Sequence, residues 1–186
     1  LIPDLIRSCE KKTSFKFRDP KNIRPWQHVL DCLAVVRPLK EKAPLAKNLL
    51  DVGAGGGLPS VILAIVCPEL KVLAVDAVAK KTAFIQSTAH ALGLANLQAQ
   101  HTRVESLSQT FDVVSARAYA SLTDLVLSSR ACLAPNGWWM AMKGVVPTEE
   151  IIHLPRDIEV VQTQRLSVPG LDAQRCLVWM RPKQAI

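Results

Sequence analysis

The chain has 186 residues, 49% of them hydrophobic and 21% charged. That is enough for one domain with a sizeable core, and too apolar for a disordered chain. No run approaches the roughly 18 apolar residues of a membrane helix, and the excess of 23 Lys and Arg over 16 Asp and Glu suits an anionic partner such as RNA, or simply a basic enzyme.

The opening residues Leu1-Ile2-Pro3-Asp4 carry no basic region before an apolar run and no small-residue cleavage site, so no signal peptide is expected. Residues 1–47 read as a helical extension. Ile2, Leu5, Ile6 and Cys9 fall on one helical face, as do Trp26, Val29, Leu30 and Leu33, and Pro25 suits a first turn. Between them lies a basic stretch with Lys11, Lys12, Lys16 and Arg18 around Phe15 and Phe17. Phosphate contact with base stacking fits that composition, and so does a solvated charged loop.

From residue 48 the pattern alternates. Strands are expected at 48–53, 71–76, 97–101, 111–116 and 138–143. Helices are expected at 58–66, stopped by Pro68, at 79–92, closed by Gly93, and at 121–133, followed by a turn at Pro135-Asn136-Gly137. Strands alternating with helices predict βαβ units and a parallel sheet. Two further strand-like runs, 159–166 and 175–180 with Pro169-Gly170 between them, predict a closing antiparallel hairpin. The expected architecture is α/β: a mostly parallel seven-stranded sheet, N-terminal helices, and one domain over 1–186 with its core at 48–186. Cysteines at 9, 32, 67, 132 and 176 form no C-x-x-C pair and are odd in number, which predicts scattered reduced thiols and no metal site.

The chemistry concentrates in the glycine loop Asp51-Val52-Gly53-Ala54-Gly55-Gly56-Gly57-Leu58-Pro59. A strand delivers it to the carboxyl edge of the sheet, where open α/β sheets bind ligands. A dinucleotide fingerprint needs Gly or Ala where Leu58 stands. The spacing of Asp51, Gly53, Gly55 and Gly57 instead resembles the S-adenosylmethionine loop of class I methyltransferases. Asp76 ends the next strand, about 20 residues past the glycines, where an acid can accept from ribose hydroxyls; a helix cap is its plainer role. The loop of Val104 and Glu105 after the third strand can read an adenine edge, or is simply a solvated loop. Arg117 and Lys143 end the fourth and fifth strands at the same edge, as orienting and phosphate-holding cations or as structural charges. His28 and Asp31, at i and i+3, line the pocket or form a satisfied surface pair.

Taken in order, Arg18-Asp19-Pro20, His28-Val29-Leu30-Asp31, Leu50 to Pro59, Phe111-Asp112-Val113-Val114-Ser115-Ala116-Arg117-Ala118, Ala120-Ser121-Leu122 and Met142-Lys143-Gly144 resemble the ribosomal small-subunit methyltransferase G family, also called glucose-inhibited division protein B. The resemblance implies a class I Rossmann-like methyltransferase that uses S-adenosylmethionine to methylate N7 of a guanine in the 530 loop of 16S rRNA. It implies a bacterial cytoplasmic enzyme whose partner is 16S rRNA or the small subunit, with no membrane role and a monomeric state expected. It carries cofactor contact to Gly53, Leu58, Val104, Glu105 and Arg117. The chain departs from the family pattern at Gln27, Cys32 and Ser60, where Arg, Ser and Gly are usual. Alternative readings are another substrate on the same fold, a non-catalytic RNA-binding or assembly protein, and a nicotinamide oxidoreductase.

Overall fold

A computed structural model describes residues 25–168 and 174–183. The basic stretch with Lys11, Lys12, Lys16 and Arg18, and the predicted Pro169-Gly170 turn, lie outside the described residues. Two helices, α1 (Pro25–Leu33) and α2 (Val36–Lys42), lead into β1 (Asn48–Val52), α3 (Ser60–Val66), β2 (Lys71–Asp76), α4 (Ala79–Leu92) and β3 (Leu97–His101). A 3-10 turn at Val104–Ser106 precedes β4 (Phe111–Arg117), α5 (Leu122–Ser129) and β5 (Leu133–Lys143). Then come α6 (Thr148–Ile152), β6 (Ile158–Arg165) and β7 (Cys176–Pro182). The seven strands run in the order β3-β2-β1-β4-β5-β7-β6. Neighbours from β3 to β5 pair in parallel, and β7 pairs antiparallel with both β5 and β6.

Alternate residues of each strand feed two cores. Leu49, Val72, Val113, Met140, Leu177 and Trp179 pack on one face with Val29, Cys32, Val35 and Leu39 of the α1–α2 region and with α3 and α4. Leu50, Val75, Val114, Trp139 and Val178 pack on the other face with Leu122, Leu125 and Val126 of α5. Each local signal has a visible cause. Gly93 closes α4 in the left-handed conformation at φ 66°. Ser121 and Asp124 form a reciprocal capping box that starts α5.

Three boundaries differ from the sequence expectation. Helix α3 begins at Ser60 rather than at 58, because the glycine loop runs through Pro59. The helix expected over 121–133 is α only to Ser129 and tightens to a 3-10 turn at Arg130–Cys132. Pro135-Asn136-Gly137, expected as a turn, is part of β5, where the register jumps from Phe111 opposite Leu133 to Val113 opposite Trp138. Pro135 has no N–H to give a ladder, so the strand bulges there instead of breaking. Helix α6 is too short to leave a periodic signal.

Candidate active site

The alternation that builds the two cores also decides where the charged side chains at the carboxyl edge go. Asp51, Asp76, Ser115 and Arg117 continue the face that packs on α1, α3 and α4. Lys143 continues the opposite face, towards α5 and α6. Along that edge the β1 and β2 ends form an acid-and-glycine half, and the β4, β5 and β7 ends a cation half.

In the first half, Gly53, Gly55 and Gly57 all take positive φ, at 65°, 57° and 85°. Their reasons differ. A Cβ at Gly57 would lie 2.8 Å from Val61 and 3.2 Å from Ile85, so this glycine lets α3 and α4 close on the loop. Gly55 donates its N–H to Asp76 Oδ2 at 3.0 Å. Asp76 Oδ1 accepts from Val78 N at 2.9 Å, and Lys81 Nζ stands 3.4 Å from Oδ2. Asp76 thus ties the glycine loop to the turn before α4 without capping that helix, and its Oδ1 keeps acceptor capacity. Beside it opens a cavity of about 380 Å³ whose walls include Gly53, Asp76, Val104, Glu105 and Tyr119. Ligand sites begin at about this size. A nucleoside fits this lining, with an acid to accept from the ribose hydroxyls and the Gly53 backbone in the wall. Leu58 is not among its walls; it packs against the core on the α1 face.

Asp51 is fully buried beneath the loop. Ser60 Oγ and Ser115 Oγ both donate to it, the latter at 2.9 Å. Burial pushes its carboxyl up to about 6, against the pull of the two hydroxyls and of Arg117. Asp51 therefore joins the loop, the start of α3 and β4, and lies outside the cavity walls. Neighbouring Cys32 is also fully buried, and burial raises its thiol to about 12.

In the second half, Arg117 Nη2 lies 2.6 Å from His28 Nδ1 and 3.6 Å from Asp31 Oδ2. Arginine only donates, so Nδ1 accepts and a neutral His28 ring carries its proton on Nε2. Arg175 Nε donates to Asp31 Oδ1 at 2.9 Å. One buried carboxylate, 2% exposed, thus serves two guanidinium groups. His28, Asp31 and Arg117, read separately in the sequence, meet here. Lys143 goes elsewhere: its Nζ donates to Glu150 Oε2 at 2.8 Å and to the Ala120 carbonyl at 3.1 Å. Glu150 also accepts from Leu122 N at 2.6 Å, so Lys143 and Glu150 clamp the chain between β4 and α5.

The model of the rRNA small subunit methyltransferase G family matches residues 6–178. The ribosomal RNA small subunit methyltransferase G of Acidovorax ebreus is 51% identical over 174 residues, covering 89% of this chain and 76% of that protein. Its namesake from Methylibium petroleiphilum is 55% identical over 159 residues, covering 84% and 72%. The chain belongs to the rRNA small subunit methyltransferase G family. Among solved structures, TrmN from Thermus thermophilus aligns with a TM-score of 0.64 at 17% identity, over 87% of this chain and 55% of that one, which speaks for the class I methyltransferase fold.

Two features of this family member escaped the sequence reading. Arg175 gives no motif signal; it arrives because Lys143 pairs with Cys176 in the β5–β7 ladder. Tyr119 lies between the two segments that end at Ala118 and begin at Ala120, and its ring stands over Gly53. Ser60, where glycine is usual, earns its place by donating to Asp51.

Proposed function

We propose that this chain transfers the methyl group of S-adenosylmethionine to N7 of one guanine in the 530 loop of 16S rRNA. Family membership supports the reaction. The observation that carries it on this chain is the cavity of Gly53, Asp76, Val104 and Glu105 at the carboxyl edge, whose wall also takes in Ala118, the residue after Arg117. The cofactor, when bound, supplies an electrophilic methyl on sulfur. Asp76 Oδ1 would accept from its ribose, with Gly53, Val104 and Glu105 as the other walls that would hold it. Leu58, Gly55, Gly57 and Asp51 shape the loop from behind.

Guanine N7 carries an in-plane lone pair and no proton, so no side chain has to remove one. The protein's task is alignment and exclusion of water. Arg117, fixed by His28 and Asp31, orients the reacting groups. Lys143 secures the segment after β4 against Glu150 and offers positive charge to RNA phosphate. Lys11, Lys12, Lys16 and Arg18 supply further phosphate contacts. The chain works as a single methyltransferase domain over 1–186, a cytoplasmic monomer acting on 16S rRNA or the small subunit. Burial of Val29, Cys32, Val35 and Leu39 in the same core as β1 and β4 supports treating the N-terminal helices as part of that domain.

The test is incubation with methyl-labelled S-adenosylmethionine and small subunits lacking the modification, followed by mapping of 7-methylguanine. Label at one guanine of the 530 loop is expected. Label at another nucleotide, or none despite cofactor binding, rejects the proposed target.

A further inference from the structure

Tyr119 is the one tyrosine of the chain, and among the described residues it is the only aromatic in the wall of the cavity. Its position is built. Ala118 before it takes φ 53°, a left-handed conformation that non-glycine residues rarely adopt. That turn brings the ring onto Gly53, where an added Cβ would lie 2.6 Å from Tyr119 Cδ2 and 3.3 Å from Cε2. On its other side the chain is held by Lys143 Nζ on the Ala120 carbonyl and by the capping box at Ser121. The ring is only half-buried, and it packs in part against the α5 core.

A guanine that reacts at N7 presents an edge, because the lone pair lies in the ring plane. The enzyme must therefore grip the base by its faces and leave that edge open. An aromatic ring in the wall of that cavity, braced by a residue without a side chain, provides such a grip. We infer that Tyr119 is the residue on which the target guanine stacks. The inference rests on the proposed methyl transfer to guanine. It assigns the aromatic face, not the hydroxyl, to recognition.

The experiment compares the wild type with Tyr119→Phe and Tyr119→Leu on undermethylated small subunits. It reads kcat/KM for the subunit, S-adenosylmethionine affinity by calorimetry, and melting temperature. The Phe variant is expected to stay within about twofold of the wild type in kcat/KM and cofactor affinity and to keep its melting temperature. The Leu variant keeps apolar volume but loses the face. Its kcat/KM for the subunit is expected to fall roughly 5- to 150-fold, equivalent to about 1–3 kcal/mol per stacked base. Its cofactor affinity is expected to hold within about twofold. If Leu does not fold, Tyr119→Met replaces it with the same expectation. Full activity in the non-aromatic variant overturns the inference, as does a Phe variant as weak as Leu. A parallel loss of cofactor affinity also overturns it, by making the ring part of the cofactor site. A wild type that methylates no subunit removes the reaction itself, which is a separate failure, visible before any variant is made.

Discussion

Along the β1–β2 half of the sheet edge, the ligand-facing groups come from one short loop and the acid at the end of the next strand. Gly55 N reaches Asp76 across 21 residues of sequence. Along the β4–β5–β7 half they come from side chains gathered from the whole chain, and Arg175 meets Asp31 across 144 residues. The first half is built largely of backbone conformation, held by three glycines at positive φ. The second is a set of charges whose arrangement depends on helix α1 and on the register of a C-terminal hairpin. The difference predicts different failures. Damage to the first half should show as lost cofactor binding. Damage to the second should show as lost stability or lost turnover.

The largest effect is expected at Asp31. Asp31→Ala leaves two guanidinium groups facing each other without their shared carboxylate, and stability should drop by about 3–5 kcal/mol in urea unfolding. A drop below about 1 kcal/mol would mean that the arginines are already served by solvent, and the second half would lose its structural centre.

Asp51 sets the next effect, and its sign is fixed by burial. Its carboxyl titrates near 3.8 when unfolded and at about 6 in the fold. Between those values the native state holds the extra proton, so stability should fall as pH rises from about 4 to about 6, by about 3 kcal/mol, and level off above. Asp51→Asn should remove that slope in thermal melts across the same range, whereas an unchanged slope would assign it to other groups.

Arg117→Ala should lower methyl transfer roughly 100-fold while the circular dichroism spectrum stays native, since misplacing the reacting groups by about 1 Å costs that much. Full activity would reduce the His28–Arg117–Asp31 cluster to a structural brace. Gly53→Ala is the smallest of the four for the fold, about 1–2 kcal/mol for a left-handed alanine. Its mark should instead be weakened cofactor binding, because an alanine strained at φ 65° shifts the loop backbone along which the cofactor would lie. Unchanged affinity would show that the cofactor does not lie along this backbone.

The same contrast explains how far the sequence could be read. The loop from Asp51 to Gly57 and the acid at Asp76 are local patterns, fixed by spacing within one βαβ unit, and the seven strands followed from alternation alone. Even there the pattern could not separate Gly57, which packs against Val61 and Ile85, from Gly53, which borders the cavity. Arg117 and Lys143 were legible as strand-end cations, but their partners were not. Which face each one takes follows from strand parity. That Arg175 joins Arg117 depends on the β5–β7 register, which periodicity does not specify. The bulge in β5 was hidden because Pro135-Asn136-Gly137 is equally good turn chemistry.

One paired measurement tests this division of labour. Asp76→Ala and Lys143→Ala are each titrated with S-adenosylmethionine by calorimetry and assayed for KM of the undermethylated small subunit. A crossed result is expected: Asp76→Ala loses cofactor affinity, while Lys143→Ala keeps it and raises the KM for the subunit. Equal loss of cofactor affinity in both variants would contradict it.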